Sequence, residues 1–503
     1  MTIKRVMGLE NEYGISSQKS TDPVTLSNRI VLAYARYVYP NKNIRWDYDL
    51  ETPLHDERGS DLSRSEVHES LLTDEDQNIP NLVLPNGARF YVDHAHPEYS
   101  SPEVLSPLEI VKWDLAGEQI MKKACELDAL IYPEDKIRIF KNNVDNKGAS
   151  YGTHVNYIAK RSTDFNKLIS GLTPHFISRQ IYCGAGRVGI GQNSEVSGFQ
   201  ISQRADYIEA QVGLETTLRR PIINTRDEPH ADPKTYRRLH VINGDANMSD
   251  FATLLKVGVT SIIIKMIEED FLNAADIQII NPVEVIKNIS HDIKLDQVYE
   301  TTNLRKVSAV DIQEWYLEKS IDFLEKRGSD EETDHVIELW ELTLNMLKND
   351  MDSLKNKVDW IAKYELVKKY MDKNDLEIDD PLIKSLDFKY SEITSSDGIG
   401  QILKKNNLLS SFFSVAEVDD AVLNPPISTR AWLRGRVLSK YSESISAASW
   451  DSLIFDLDKD KPLVRISTAN PLKGTKELTH DLIENSNTAS ELVDSIRERP
   501  ETY

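Results

Sequence analysis

Several strand-like segments carry polar residues at every second position, and this repeated pattern constrains the fold more than any other feature of the chain. In Arg89-Phe90-Tyr91-Val92-Asp93, an extended backbone puts Arg89, Tyr91 and Asp93 on one face and Phe90 and Val92 on the other. By the same phase Glu10 and Glu12 share a face, as do His154 and Asn156, Gln200, Ser202 and Arg204, and Arg238 and His240. An antiparallel sheet with one wet face alternates in the same way. A solvent face, however, draws on a mixture of Lys, Thr, Ser and Glu, whereas these faces carry His, Asn, Arg, Tyr and carboxylates. If the segments lie in one sheet, its polar face is a cradle of carboxylates, imidazoles and guanidiniums. Paired carboxylates such as Glu10 and Glu12 offer hard oxygens to Mg²⁺. Mg²⁺ is usually shared with phosphate oxygens, and arginines neutralise the remaining phosphate charge. The pattern therefore predicts an ATP–Mg²⁺ site on an open sheet. The chain has no GxxxxGK[ST] phosphate loop.

Helical periodicity surrounds these strands at Leu26–Tyr39, Pro107–Leu127, Asp250–Leu272 and, most strongly, over 308–374. Trp315, Trp340 and Trp360 recur there at helical spacing and read as core knobs. From Asp47 to Pro80, eleven Asp/Glu meet two Arg, a local charge of −9. Strand-like segments on both sides make this an acidic insertion (47–80) within a domain rather than a linker between domains. The 503 residues allow two to four domains or one large domain with an appendage. Pro425–Pro426 punctuates the chain, so we expect a catalytic domain over 1–424 and a small C-terminal domain over 425–503. A net charge of −21 argues against nucleic acid and against anionic lipid as partners. Two cysteines build no disulfide framework, and no apolar run has the length of a signal peptide or a membrane span. A reduced, cytoplasmic setting is the expectation.

Two short motifs compete for attention. Gly184-Ala185-Gly186-Arg187-Val188-Gly189 matches GxGxxG, but the polar run after it is loop-like, so a dinucleotide site is not expected. A flexible loop beside a nucleotide site fits better. His94 and His96, flanked by Asp93 and Glu98, have the look of a zinc site. Strand phase places both histidines on the face opposite Asp93, and Pro97 is expected to bend the chain and return Glu98.

Seven stretches then carry a family likeness. They are Met-Gly-Leu-Glu-Asn-Glu-Tyr-Gly-Ile (7–15), Asn-Gly-Ala-Arg-Phe-Tyr-Val-Asp-His-Ala-His-Pro-Glu-Tyr-Ser-Ser-Pro-Glu (86–103), and the segments 142–157, 199–209, 223–232, 237–247 and 429–436. In order and content they resemble the Pup ligase/Pup deamidase family, which is related to glutamine synthetase and carboxylate–amine ligases. The resemblance implies an α+β, glutamine-synthetase-like fold: a curved antiparallel sheet packed with helices, plus a small C-terminal domain. One branch of the family ligates the small protein Pup to lysines. The other deamidates the C-terminal Gln of Pup and cleaves Pup from its conjugates, a role tied to proteasomal degradation. The spacing between Asp93 and His96-Pro97-Glu98, one residue shorter than is typical of the ligase, and the acidic insertion both look like the second branch.

The resemblance implies Asp93 as the catalytic nucleophile or general base. It implies Glu10, Tyr91, Glu98 and His240 as Mg²⁺ ligands, with Glu12 and His154 as further candidates. Arg89, Ser101, Asn156 and Trp432 would contact ATP (or ADP with phosphate), and Arg226 and Arg238 would hold the γ-phosphate or a developing oxyanion. Pup is acidic, so its groove must be basic. Arg430, Arg434, Arg436 and Lys440, a local +4 without an acidic residue, are expected to form part of it. The competing readings are the ligase itself and a catalytically silent Pup-binding protein.

Overall fold

A computed structural model describes residues 4–20, 22–49, 51–61, 63, 80–458 and 460–503. Most of the acidic insertion, 64–79, lies outside the described residues, and so does any expectation for its conformation. A six-stranded sheet is central. Its spatial order is Tyr236–Val241, Thr153–Lys160, Met7–Glu12, His96–Ser100, Arg89–Asp93 and Asn81–Val83, with every neighbouring pair antiparallel. Alternation behaves as strand geometry demands. Phe90 and Val92 are buried while Arg89, Tyr91 and Asp93 are half-exposed. Thr153, Val155, Tyr157 and Ala159 are buried, and His154, Asn156 and Ile158 face the other way.

Helices cover the apolar face of the sheet. Ser106 caps Pro107–Ile131 by accepting from Leu108 N and Glu109 N, with Pro107 preset for the first turn. This helix packs on Pro23–Val38 and on Asp250–Glu268, whose side chains are buried almost all round. The region 308–374 is helical as expected: Ala309–Arg327, opened by a Ser308/Asp311 capping box, then Glu331–Asn349 and Asp359–Asn374. Trp340 and Trp360 are fully buried, and Trp315 is half-buried against the same core. Among the described residues no helix is long and apolar enough to cross a membrane.

Three expectations need correction. Gln200, Ser202 and Arg204 do not extend the central sheet. Val196–Gln200 pairs with Arg187–Ile190 in a separate hairpin, and the chain turns after Gln200 because Ser202 Oγ accepts from Arg204 N and Ala205 N. The GxGxxG segment is neither a dinucleotide turn nor a loop beside the cavity described below. Gly184 ends a short helix and Gly186 is pressed against Trp360, with φ +71° that favours glycine. The 425–503 segment does fold into its own strands, Ile445–Ala448, Ser452–Phe455 and Val464–Ser467, followed by two helices. It lacks a separate core, however. The fourth strand of its sheet is Arg45–Trp46, and Leu433, Val437, Leu453 and Ile483 bury themselves in one cluster with Tyr13, Ile30 and Phe90.

Candidate functional site

Antiparallel register gathers the polar residues. Across the sheet Glu10 pairs with His154 on one side and Ser100 on the other, Glu12 pairs with Glu98, Tyr91 pairs with Glu98, and Asn156 pairs with His240. Directly opposed residues point the same way, so side chains from five strands converge on one face. They form two adjacent clusters with metal-ligand geometry: Glu10, His154 and His240, and Glu12, Asp93 and Glu98, the candidate atoms of each lying within 4.8 Å of one another.

The electrostatics suit a cation. Burial pushes the Glu98 carboxyl well above its ordinary value, and the charges of Asp93, Glu12 and Glu10 add to it. Three carboxylates round one point stay ionised together only if positive charge joins them. Glu10 is also penalised by burial, but the His154 imidazole, followed by Arg238 and Asn156, outweighs this and holds it at about 2. Burial, with the nearby Arg238 guanidinium, pushes His240 well below the ordinary imidazole range, which leaves it neutral and able to ligate. Oxygen-rich and His-containing donor sets of this kind fit divalent cations. Tyr91 stands beside them with its hydroxyl 3.3 Å from Ser100 Oγ and its side chain hydrogen-bonded to the Glu98 carboxyl.

Asp93 occupies the end of the Arg89–Asp93/His96–Ser100 hairpin. His94, at φ +52° in the turn, brings Nδ1 to 3.0 Å from Asp93 Oδ2. This corrects the expectation that strand phase carries His94 away from Asp93: the strand ends at Asp93, so its phase no longer applies. His96 is not carried to the opposite face either: it pairs with Asp93 and shares the strand phase of Glu98, and its ring stacks on Tyr151 at 4.2 Å between centroids, while Glu98 reaches the site. Burial penalises the Asp93 carboxylate, but the hydrogen bond from His94, with the charges around it, holds the group below its ordinary value. Arg226, on the loop after Arg220–Asn224, has a buried Nε without a hydrogen-bond partner and a guanidinium destabilised by desolvation, which an anion would relieve.

Beside the clusters lies a cavity of about 70 Å³, lined among others by Glu10, Ser101, Asn156, Arg238, Arg430 and Trp450. Ser101 Oγ already serves the backbone, accepting from Leu9 N at 3.0 Å and donating to Pro102 O at 3.1 Å. Arg89 lies off this cavity, with its guanidinium 3.9 Å from the ring centroids of both Trp46 and Tyr91 and its Nε on Asn81 Oδ1. Trp432 does not line the cavity. It is buried beneath Arg436 and Lys476 and beside His480. The indole at the cavity is Trp450, which carried no signal in the sequence because only the chain reversal after Ile445–Ala448 brings it there.

The expected basic groove is not a surface groove. Arg430 and Arg434 are buried and clamp Glu103: Arg430 Nε lies 2.7 Å from Oε1, and Arg434 reaches both carboxylate oxygens. Arg436 pairs with Glu484 at 3.4 Å, and Lys440 Nζ donates to Ile483 O at 2.5 Å, at the end of helix Lys476–Asn485. Charges that are neighbours in sequence need not share the surface. The helix turns Arg430 and Arg434 inward, where an acidic residue more than 300 positions away awaits them. Gly152 also escaped the sequence reading. Its N–H donates to Glu12 Oε1 at 2.7 Å, and a Cβ there would sit about 2.5 Å from that oxygen and closer still to His154 Nε2.

A family model described as Pup-ligase protein matches residues 5–454. The depupylase of Acidothermus cellulolyticus is 45% identical over 495 residues, covering 97% of this chain and 98% of that protein. The Pup deamidase/depupylase of Mycolicibacterium smegmatis is 43% identical over 498 residues, covering 98% and 100%. Among solved structures, the complex between Pup and its ligase PafA superposes with a TM-score of 0.80 at 28% identity, covering 98% of this chain and 94% of that one. The Pup ligase PafA in complex with ADP gives 0.73 at 32% identity, covering 80% and 89%.

Proposed function

This chain belongs to the Pup-ligase protein family, and from that premise we propose that it is a depupylase and Pup deamidase. It hydrolyses the isopeptide bond between the C-terminal Gln/Glu side chain of Pup and a substrate lysine, and it deamidates a C-terminal Gln of Pup to Glu. Its partners are Pup and pupylated proteins, in the cytoplasm and in connection with the proteasome. The observation that carries the chemistry is Asp93, a carboxylate at the tip of a hairpin, set in a cluster with Glu12 and Glu98 and within electrostatic reach of Arg226.

In this reading Asp93 acts on the amide as nucleophile or as general base to water. On either route the water oxygen ends on the side-chain carboxylate of Pup, the C–N bond breaks, and the amine leaves with a proton. Arg226 opposes the negative charge that builds on the carbonyl oxygen or on a phosphate. Glu10, His154 and His240 would hold one Mg²⁺, and Glu12 and Glu98, with Tyr91 adjacent, a second. Bound Mg²⁺ supplies the positive charge that lets these carboxylates and a polyphosphate share one face. Asn156 and Arg238, with Ser101 on the cavity wall, would hold ATP, or ADP with phosphate, near Trp450, and Arg89 supports the neighbouring strand. Hydrolysis of an amide needs no net energy from ATP, so the nucleotide is a cofactor that is not consumed in stoichiometric amounts.

The test uses a Pup–protein conjugate with ATP and Mg²⁺, read by gel and by phosphate release. Free protein and free Pup should appear with far less than one ATP hydrolysed per bond cleaved. Ligation of Pup-Glu to lysine at one ATP per bond, without cleavage of the conjugate, would instead make the chain a ligase.

A further inference from the structure

Asn156 makes more contacts within the site than a nucleotide contact needs. It lies between Gly8 and His240 in the register of the sheet, and its amide touches three polar side chains. Nδ2 donates to Glu10 Oε1 at 2.6 Å. Oδ1 lies 2.7 Å from His240 Nδ1 and accepts from Arg238 Nη1 at 2.9 Å. Arg238 is fixed in turn by Glu228, through Nε to the backbone carbonyl at 2.6 Å and Nη2 to Oε2 at 3.3 Å.

These contacts leave little freedom. An ionised carboxylate only accepts, so the amide NH₂ must face Glu10 and the amide oxygen must face His240. That oxygen also only accepts and lies 2.7 Å from His240 Nδ1, closer than the competing Arg238 Nη1 at 3.3 Å, so the proton of a neutral His240 sits on Nδ1. The Nε2 lone pair is then the one available to the cluster with Glu10 and His154, whose ring lies 4.9 Å from that of His240. Ligating histidines are commonly oriented by a hydrogen bond of this kind.

We infer that Asn156 is a positioning residue that sets the tautomer of His240 and the orientation of Glu10 for a divalent cation. One of its amide N–H groups remains for a nucleotide. This inference rests on the reading of Glu10, His154 and His240 as a cation site, and the experiment separates the two.

The full chain, free of metal, is titrated with Mn²⁺ and followed by electron paramagnetic resonance. The His240 ring is followed in ¹⁵N-histidine protein by long-range ¹H–¹⁵N correlation, assigned with the His240→Gln variant. His240→Gln should weaken one Mn²⁺. Asn156→Leu should weaken the same Mn²⁺ by about 10–100-fold and release His240 from its Nδ1–H form. Asn156→Asp, whose carboxylate still accepts from Nδ1, should restore that form. If Asn156→Leu does not fold, Asn156→Ala removes the same amide with less bulk and carries the same expectations. Unchanged Mn²⁺ affinity and an unchanged His240 tautomer in the Leu or Ala variant, with His240→Gln still weakened, would overturn the positioning role alone. Unchanged Mn²⁺ binding in His240→Gln would overturn the cation site and this inference with it.

Discussion

Replacing Glu103 by Gln tests how the C-terminal segment is locked to the sheet. The Glu103, Arg430 and Arg434 side chains retain 12%, 4% and 1% of their exposure, so water screens this triad little. Burial alone would raise the carboxyl. The charges of Arg434 and Arg430 outweigh it and move the group from its ordinary 4.5 to about 2. That difference corresponds to roughly 3 kcal/mol of folding free energy at neutral pH. Breaking one member of a buried ionic group independently costs about 3–5 kcal/mol, and the lower end applies because the Gln carbonyl still accepts. The sign follows from linkage. A carboxyl depressed in the folded state stabilises fully above its unfolded pKa, and the contribution fades as pH falls toward the folded value. The Gln variant should therefore lose roughly 3 kcal/mol near pH 7 and only about 2 kcal/mol near pH 3.5. Urea unfolding followed by tryptophan fluorescence at the two pH values measures this. A loss under about 1 kcal/mol near pH 7, or a loss that does not shrink in acid, refutes the argument.

Asp93→Asn should cut conjugate cleavage by about 10²–10⁴-fold and leave nucleotide affinity, measured by calorimetry, near that of the parent; an Asn variant of full activity rules Asp93 out. Trp450→Ala should weaken nucleotide binding by about tenfold, as expected for loss of an aromatic surface beside a base. Trp432→Ala should instead lower the melting temperature with little change in affinity, and the opposite pattern would restore Trp432 to the site. Gly152→Ala should abolish activity and weaken Mn²⁺ binding while the far-ultraviolet circular dichroism stays that of the parent, because a methyl has no room between Glu12 and His154; normal Mn²⁺ affinity would show that the clusters yield to it.

Much of the candidate site was legible because a strand's alternation needs nothing but the backbone. Glu10 and Glu12, His154 and Asn156, and Arg89, Tyr91 and Asp93 share faces wherever their strands sit, and the structure keeps each of these sets together. Where the strand stopped, the inference stopped. His94 went the other way because the hairpin turn ends the phase at Asp93, and Gln200 and Arg204 fell out of the sheet because a serine-capped turn intervenes. Helical periodicity likewise placed Trp340 and Trp360 in a core, since packing of a helix face depends on local spacing.

By itself, then, the sequence determined which side chains could stand together along one strand, the helices that cover the sheet, and a family likeness strong enough to name the chemistry. Only the tertiary structure decided which strands are neighbours. It divided the candidate carboxylates and imidazoles into Glu10/His154/His240 and Glu12/Asp93/Glu98, and it brought Trp450 rather than Trp432 to the cavity. It also turned Arg430 and Arg434 from a supposed surface patch into a clamp on Glu103. The physical reason is the range of the forces involved. Alternation and periodicity follow from dihedral angles a few residues apart, whereas burial and pairing of charge depend on groups that meet only when distant segments close round one core.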